Sequence, residues 1–265
     1  MLRFIVWLTM AFLLAPLVII VLFSFHASPS LSFPFTGFSL RWYGEIFGND
    51  QLRSAVLKSL FIAFLTAVVT LFLGAAASLA WVRLGKVGRG IIEALCITPI
   101  ALPGLFVGVA LLTLFAQAGI QLSTVTIVIS HVVLAIPIMI VAMRARLTLF
   151  DPSLEEAARD LGASQLQTFR RVTLPLIAPT LISSSILAFA VSFDEFVVTS
   201  FLAGTETTLP MYVWSMMRRT VTPLINAVST LALGFSIIIL LGAWLIQKAR
   251  KSSALSGRLL SEDPQ

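Results

Sequence analysis

Two adjacent carboxylates lie in an apolar stretch, where charged side chains are rare. Asp194 and Glu195 follow Ser192 in the segment LAFAVSFDEFVVTSFLAG, within an apolar run over 176–202 that is long enough to span a membrane. Each carboxylate at membrane depth costs roughly 2.5–3.5 kcal/mol on insertion scales. Something must offset that cost, either a bound cation or an ion pair or hydrogen bond with a neighbouring helix.

A helical projection separates the two carboxylates. On one continuous helix, Glu195 shares a face with small and polar side chains, whereas Asp194 shares a face with mainly apolar ones. The first face holds Ser184, Ala188, Ser192 and Thr199, and the second holds Leu187, Ala190, Val198 and Phe201. We therefore expect Glu195 to line a polar passage and Asp194 to pair with a neighbouring subunit. Structural hydrogen bonds or ion pairs between helices remain the alternative for both.

The composition identifies a polytopic membrane protein. The chain has 265 residues, of which 58% are hydrophobic and 11% are charged, and its mean hydropathy is +1.00. The net charge of +6 does not indicate nucleic acid, because the basic residues are scattered at the ends of apolar segments. The single cysteine, Cys96, excludes an intrachain disulfide and a cysteine-based metal site.

The apolar segments predict an all-α protein with six transmembrane helices in one transmembrane domain over residues 1–265. The first segment has 22 apolar residues, which favours an uncleaved span over a signal peptide with an apolar region of about 7–15 residues. Pro99, Pro103 and Gly104 predict a kinked third span. The spans are expected at 4–25, 59–82, 91–116, 122–143, 176–202 and 227–246.

Polar residues near these spans have simpler structural roles. Glu93 lies in the first turn of the third span, where the helix dipole favours an anion. His131 in the fourth span is expected to form hydrogen bonds between helices. The connection 26–53 contains Phe33-Pro34-Phe35 and Trp42-Tyr43, which predict an interfacial lateral segment, and the C-terminal SEDPQ is expected to be disordered.

The distribution of basic residues predicts the orientation. In the six-span arrangement, 13 Lys and Arg residues lie on the side of both termini and 5 lie on the other side. The positive-inside rule therefore places both termini, and the connection between the fourth and fifth spans, in the cytoplasm. The outer connection before the sixth span carries Glu206, Trp214 and the pair Arg218-Arg219.

The connection 151–175 is predicted to form two short helices with a break between them. Asp151-Pro152 and the Ser153/Glu156 spacing are helix-start signals, so the first helix is expected near Leu154. Gly162 is suited to a left-handed C-cap. Ser164 and Gln167 repeat the capping spacing for the second helix, and Pro175 limits its length.

The same loop carries a motif. Glu156-Ala157-Ala158, then Gly162, then Val172-Thr173-Leu174-Pro175 resembles the EAA loop of permease subunits in ATP-binding-cassette importers. The resemblance implies the type I importer permease fold. It also implies that Glu156, Ala157, Ala158, Gly162, Leu174 and Pro175 form a coupling helix that docks on a cytoplasmic ATPase.

The resemblance extends to the spermidine/putrescine branch of these permeases over about 32–246. It rests on SFPFTGFSLRWY, PIALPG, LAFAVSFDEFVVTSFLAG, TLPMYVWSMM and PLINAVSTL. By this likeness Trp42, Ser192, Asp194 and Glu195 correspond to positions associated with polyamine passage. Many polyamine permeases carry an acid after the third-span proline, whereas Gly104 follows Pro103 here. A carrier of 4-aminobutyrate, another amino acid or another small amine therefore remains an alternative.

The resemblance also implies the partners: an ATPase dimer inside, a second permease subunit or a second copy of this chain, a substrate-binding protein outside, and membrane lipid. The location is the bacterial inner membrane. The sequence has no GxxxxGK[ST] motif, so ATP and Mg²⁺ are expected on the separate ATPase, with no cofactor in this chain.

Two other function classes fit the sequence less well. A proton-coupled secondary transporter could use Asp194, Glu195 and His131 as a relay, but no inverted repeat is evident. A membrane enzyme would need clustered nucleophiles, bases or metal ligands, whereas the two histidines and one cysteine lie on separate segments.

The charge distribution makes a direct prediction about topology. In a Cys96→Ser background, a cysteine placed near Ser164 should react with an impermeant thiol reagent only from the cytoplasmic face. A cysteine placed near Gly204 should react only from outside. Labelling of right-side-out and inverted membrane vesicles measures both, and the opposite pattern would invert the topology.

Overall fold

The computed structural model describes residues 2–30, 35–219 and 222–259. Across these residues the protein is almost entirely helical, with one isolated antiparallel bridge between His26 and Phe38. Phe33, Pro34 and the terminal SEDPQ lie outside the described residues. The helices are α1 (Leu2–Phe23), α2 (Arg41–Phe47), α3 (Asp50–Arg83), α4 (Lys86–Ala101), α5 (Gly104–Gln117), α6 (Thr124–Thr148), α7 (Ser153–Asp160), α8 (Gln165–Thr168), a π-helix (Phe169–Thr173), α9 (Leu174–Asp194), α10 (Val197–Leu202), α11 (Leu209–Arg219) and α12 (Pro223–Leu259).

The long apolar helices coincide with the predicted spans. Four helical stretches in the described part of the chain are long and apolar enough to cross a membrane by themselves, and they match the first, second, fourth and fifth spans. They are Arg3–Phe23, Asp50–Arg83, Thr124–Thr148 and Gln165–Asp194. Shorter apolar helices over Gly104–Gln117 and Pro223–Ile239 lie at the third and sixth positions. The all-α class is confirmed, and the count of six stays a prediction.

The third span is interrupted where the sequence predicts a kink. Helix α4 ends at Ala101 and α5 begins at Gly104, with Leu102 in an extended conformation between them. The residue before a proline is disfavoured in the helical region, which accounts for the conformation of Leu102 ahead of Pro103. The predicted interruption is therefore confirmed.

The chain divides into two compact units, and α3 and α12 each contribute to both. The first unit comprises Met1–Lys58 and Thr207–Ile238, and the second comprises Ser59–Glu206 and Ile239–Gln265. The expectation of one permease domain over residues 1–265 stays a prediction.

Hydrogen bonds from aromatic side chains connect the segments of the first unit. Trp42 on α2 is 4% exposed, and its indole Nε1 donates to the carbonyl of His26 at 2.7 Å. The amide of Asn49 donates to the hydroxyl of Tyr212 on α11 at 2.9 Å. The lateral connection therefore packs as part of this unit.

The second unit is built around α6. This helix packs against α9, α4 and α10, while α10 also packs against α5. One buried cluster joins α6 to α9 and consists of Met139, Met143, Leu147, Ile177 and Leu181. A second joins α5 to α10 and consists of Val107, Phe115, Val198 and Leu202. These apolar contacts set the positions of the two helices that flank Glu195.

A close helix crossing in this unit depends on glycine. A Cβ atom on Gly74 of α3 would lie 2.6 Å from Cγ and 2.8 Å from Cβ of Met139 on α6. Met139 is fully buried, so its side chain has little room to move. Only glycine allows the two helices to approach so closely.

A charged and aromatic cluster joins α3, α4 and α6. The carboxylate of Glu93 lies 3.0 Å from Nη1 of Arg144 and accepts a hydrogen bond of 3.0 Å from Nε1 of Trp81. The Arg144 guanidinium carbon also lies 4.3 Å from the centre of the Trp81 ring, a cation–π contact. The expected position of Glu93 in the first turn of the third span is wrong, because α4 already begins at Lys86. Its structural role rests on Arg144 and Trp81 instead of the helix dipole.

The crossing at Gly74 provides a stability prediction. Gly74→Ala should destabilise the folded protein by about 1–3 kcal/mol, because overpacking forces Met139 or a backbone to move. Gly90→Ala on α4 is the matched control, since nothing lies within 4 Å of its added Cβ. Thermal unfolding in detergent should give a lower Tm for Gly74→Ala than for Gly90→Ala. Equal melting temperatures would show that the crossing tolerates a methyl group.

Candidate functional site

The predicted docking loop begins with helix α7. The carboxylate Oδ1 of Asp151 accepts a hydrogen bond from the backbone N–H of Ser153 at 3.0 Å. This backbone hydrogen bond, with a second from the Ser153 side chain, holds the pKa of Asp151 below its ordinary value. The predicted capping box between Ser153 and Glu156 is wrong, because Ser153 already lies inside the helix.

Gly162 ends α7 as the sequence predicts. Its φ of +85° lies in the left-handed region, which glycine adopts without steric cost. The N–H of Gly162 donates to Arg159 O at 2.9 Å, and that of Ala163 donates to Ala158 O at 3.0 Å. These two bonds form a Schellman motif. The loop therefore turns sharply after one short helix.

The second helix of the loop, α8, starts at a complete capping box. The N–H of Gln167 donates to Ser164 Oγ at 3.3 Å, and the N–H of Ser164 donates to Gln167 Oε1 at 2.9 Å. The helix–break–helix arrangement over 151–175 is therefore confirmed. The prediction that Pro175 limits the second helix is wrong, because the helical stretch continues through it as Gln165–Asp194.

The outer surface of the loop is exposed. No residue of α7 is buried; Glu156 and Ala157 are exposed and Ala158 is half-buried. Leu161 is 89% exposed, and no large apolar side chain in the described residues has a higher exposed fraction. Ala157 and Leu161 are thus exposed apolar side chains on this loop. Docking of this loop on an ATPase stays a prediction.

The inner surface of the loop is tied to the membrane helices. The hydroxyl of Thr173 donates a short hydrogen bond to the carboxylate of Glu155 on α7. Nε and Nη2 of Arg146, on α6, donate to the carbonyl of Leu176 at 3.0 and 2.9 Å. Leu174 and Pro175 form the first turn of α9. Thr173 therefore bonds α7 next to the start of the fifth span, and Arg146 joins the fourth span to the fifth beside the loop.

An open cavity of about 290 Å³ lies against α7 and α8. It is lined by Arg83, Glu155, Arg159, Gln165, Thr168 and Phe169. The lining therefore includes charged side chains of both α3 and α7.

The fifth span is broken at the carboxylates. Helix α9 ends at Asp194, Glu195 is extended (φ −71°, ψ 116°), and α10 begins at Val197. A continuous helix over 176–202 is therefore wrong, and the helical projection that placed Glu195 on one face fails beyond Asp194. The Glu195 carboxylate instead turns onto α10, where Oε1 accepts the N–H of Val198 at 2.9 Å. It caps the short helix.

His131 bridges the break from the neighbouring helix α6. Its Nδ1 lies 2.7 Å from Ser192 Oγ on α9, and its Nε2 lies 2.7 Å from Thr199 Oγ1 on α10. The ring is 2% exposed. The expected hydrogen bonding of His131 between helices is confirmed.

The predicted pathway residues differ in their surroundings. Asp194 is exposed and Glu195 is half-buried, so both carboxylates are accessible from this chain's surface. Ser192 is 5% exposed, and its hydroxyl bonds His131 rather than standing open to a ligand. Trp42 belongs to the other unit, and its indole N–H is bound to His26 O. Neither Ser192 nor Trp42 offers its polar hydrogen-bonding group freely in this structure.

The chain matches a known family over most of its length. The family model for the binding-protein-dependent transport system inner membrane component matches residues 71–251. The chain belongs to this permease family. As a member it is an inner-membrane, multi-pass subunit of an ATP-binding-cassette importer, and it is not an enzyme.

Two curated permeases are similar over nearly the whole chain. The putrescine transport system permease protein PotI of Escherichia coli K12 is 39% identical over 249 residues, covering 91% of this chain and 88% of that protein. The spermidine/putrescine transport system permease protein PotC of Haemophilus influenzae is 33% identical, covering 90% of this chain and 93% of that protein.

Solved structures support the same fold for this permease. A bacterial importer of the acidic polysaccharide alginate aligns with a TM-score of 0.68 at 16% identity, covering 92% of this chain and 96% of the other. The importer permease fold is therefore confirmed.

The sequence of this permease does not predict that Thr199 and Val198 donate hydrogen bonds to Glu195. The signal was present but indirect: Ser192 and Thr199 are seven residues apart, a spacing at which one histidine can bond both. No Pro or Gly lies between Ser192 and Val197, so the sequence contains no helix-breaking residue that would predict the break.

Gly162 gives a prediction for the docking loop. Gly162→Val should abolish uptake, because a β-branched side chain strongly disfavours a φ of +85°. Gly162→Asn is the matched control, since asparagine tolerates this region and nothing within the chain lies within 4 Å of the new Cβ. Uptake, membrane abundance and retention of the ATPase in the purified complex measure the effect. Normal uptake by Gly162→Val at wild-type abundance would contradict the role of this turn.

Proposed function

We propose that this permease subunit forms half of the passage for putrescine, spermidine or a closely related small amine. The observation that carries the proposal is the break in the fifth span, which exposes the carboxylates of Asp194 and Glu195 side by side. The names of the similar permeases, which describe putrescine and spermidine transport, support the same substrate class.

The chemistry of the break suits a protonated amine. Carboxylates at membrane depth are costly without a cationic partner. An ammonium group supplies that partner through charge-assisted hydrogen bonds, which replace part of the water the amine gives up. The substrate and the carboxylates therefore offset each other's cost of desolvation.

Glu195 retains capacity to bind a substrate after capping α10. An ionised carboxylate has two oxygens with about four lone-pair sites. The N–H of Val198 takes one of these sites, on Oε1. The remaining sites can accept hydrogen bonds from an ammonium group while the cap stays intact. Asp194 is more exposed and, in this proposal, pairs with the second permease subunit.

The docking loop indicates how ATP hydrolysis would move the passage. In the proposed assembly a dimer of ATPase subunits binds ATP and Mg²⁺ and seats the loop 151–175 of each permease. Both termini then lie in the cytoplasm, and a substrate-binding protein delivers the amine outside. Closure of the ATPase dimer draws the loops together and opens the passage outward by rigid-body motion. The bonds from Arg146 and Thr173 would carry that motion into the fourth and fifth spans.

A charge-removal experiment tests the substrate class. Glu195→Gln keeps an oxygen for the Val198 N–H but removes the charge, so it should lower amine uptake at least about tenfold, as expected for a charge-assisted bond of about 1.5–3 kcal/mol. Assembly and basal ATP hydrolysis should be retained. The measurement is uptake into proteoliposomes containing the whole transporter, with saturating amine-loaded binding protein.

Two further variants make the test specific. Glu45→Gln, which removes an exposed carboxylate on α2 paired with Arg41, should leave uptake unchanged because exposed pairs contribute little. Asp194→Asn should lower the yield of assembled complex rather than the uptake per complex. Wild-type uptake by Glu195→Gln, or saturable uptake of 4-aminobutyrate in preference to putrescine and spermidine, would overturn the cationic-substrate proposal.

A further inference from the structure

A directional chain of hydrogen bonds crosses the break in the fifth span. Thr199 Oγ1 donates to the carbonyl of Glu195 at 2.8 Å, and the two ring nitrogens of His131 reach Ser192 and Thr199 at 2.7 Å each. All three side chains are at most 5% exposed. This series of hydrogen bonds therefore runs from α9 through His131 on α6 to the backbone of the break.

The direction of each hydrogen bond follows from the donors available. A threonine hydroxyl has one hydrogen, and that of Thr199 is given to the Glu195 carbonyl. Nε2 of His131 must therefore carry a hydrogen and donate it to Thr199 Oγ1. In the neutral ring Nδ1 is then an acceptor, and it takes the hydroxyl hydrogen of Ser192. The order is Ser192 to His131 to Thr199 to the Glu195 carbonyl, and each link polarises the next.

This arrangement meets a demand made by the break. A helix that ends inside a membrane leaves backbone groups that have no water to bond, and other parts of the protein must satisfy them. Thr199 satisfies the carbonyl of Glu195, and the Glu195 carboxylate satisfies the N–H of Val198. Both the main chain and the side chain of Glu195 are therefore fixed. The position of the main chain depends on His131, because His131 holds Thr199.

We propose that His131 is a positioning residue for substrate passage, holding Glu195 at the break through Thr199 without touching the substrate. The inference rests on the proposed role of Glu195. The fourth span would then contribute to substrate passage indirectly, through a neutral histidine whose two ring nitrogens both bond hydroxyl groups.

Two conservative substitutions separate the two hydrogen bonds. His131→Asn places its amide near the position of Nδ1, so it retains an acceptor for Ser192 and loses the donor to Thr199. His131→Gln reaches the position of Nε2 and retains the donor to Thr199. Amine uptake by the whole transporter in proteoliposomes, divided by the ATP hydrolysed in parallel, should be about tenfold lower for Asn and within about threefold of wild type for Gln.

A double-mutant cycle tests whether His131 acts through Glu195. Because Glu195→Gln already removes the charge, adding His131→Asn should lower the uptake per ATP no further. Multiplied losses in the double variant would overturn the inference, as would equal losses for His131→Asn and His131→Gln. Wild-type uptake by Glu195→Gln would instead defeat the proposed role of Glu195 itself, so the two failures are distinguishable.

Substitutions at Thr199 keep the test decisive if the His131 variants do not assemble. Thr199→Val removes the hydroxyl at nearly constant volume and should reproduce the loss of uptake per ATP. Thr199→Ser restores the hydroxyl and should restore uptake. Wild-type coupling in Thr199→Val, or failure of Thr199→Ser to recover it, would overturn the inference.

Discussion

The absence of water inside a membrane is the constraint on which the second unit depends. A broken helix there must find donors and acceptors for its free backbone groups within the protein. In this permease the third span breaks next to Pro103, which lacks an N–H and therefore reduces the demand. The fifth span breaks with no proline or glycine, and His131, Thr199 and Glu195 meet the demand instead. The Glu195 carboxylate is thereby held in a direction that an unbroken helix would not give it.

The same helix that supports the break also lies beside the loop 151–175. Helix α6 carries His131 in its N-terminal half and Arg146 in its last turn. Arg146 bonds the first turn of α9, and His131 bonds the last turn. The buried cluster around Met139 and Ile177 fills the interval between these two polar contacts. The fourth and fifth spans are therefore joined at both ends and along their length, which favours movement of the pair as one body.

Local signals in the sequence were sufficient for the loop and insufficient for the break. Gly162, Ser164 and Gln167 specify their turn and cap through their own backbone and neighbours, so their roles could be predicted. The conformation of Glu195 depends on His131, more than sixty residues earlier in the chain. Helical periodicity continues past Asp194 in the sequence, and only the tertiary hydrogen bonds interrupt it. The same limit applies to Trp42, whose hydrogen bond to His26 is set by the folding of the lateral connection.

The π-helix over Phe169–Thr173 has a consequence for how the loop and the fifth span are aligned. A π-helical turn accommodates one residue more than an α-helical turn, so it changes the angular relation between the elements on either side. One residue corresponds to a rotation of about 100° around the axis of an α-helix. The side of α9 that faces α6 and the direction in which α7 projects are therefore related by the length of this five-residue segment. Insertions and deletions are tolerated in most surface loops. Here a change of one residue would turn α7 to a different direction, although every residue of the motif would still be present.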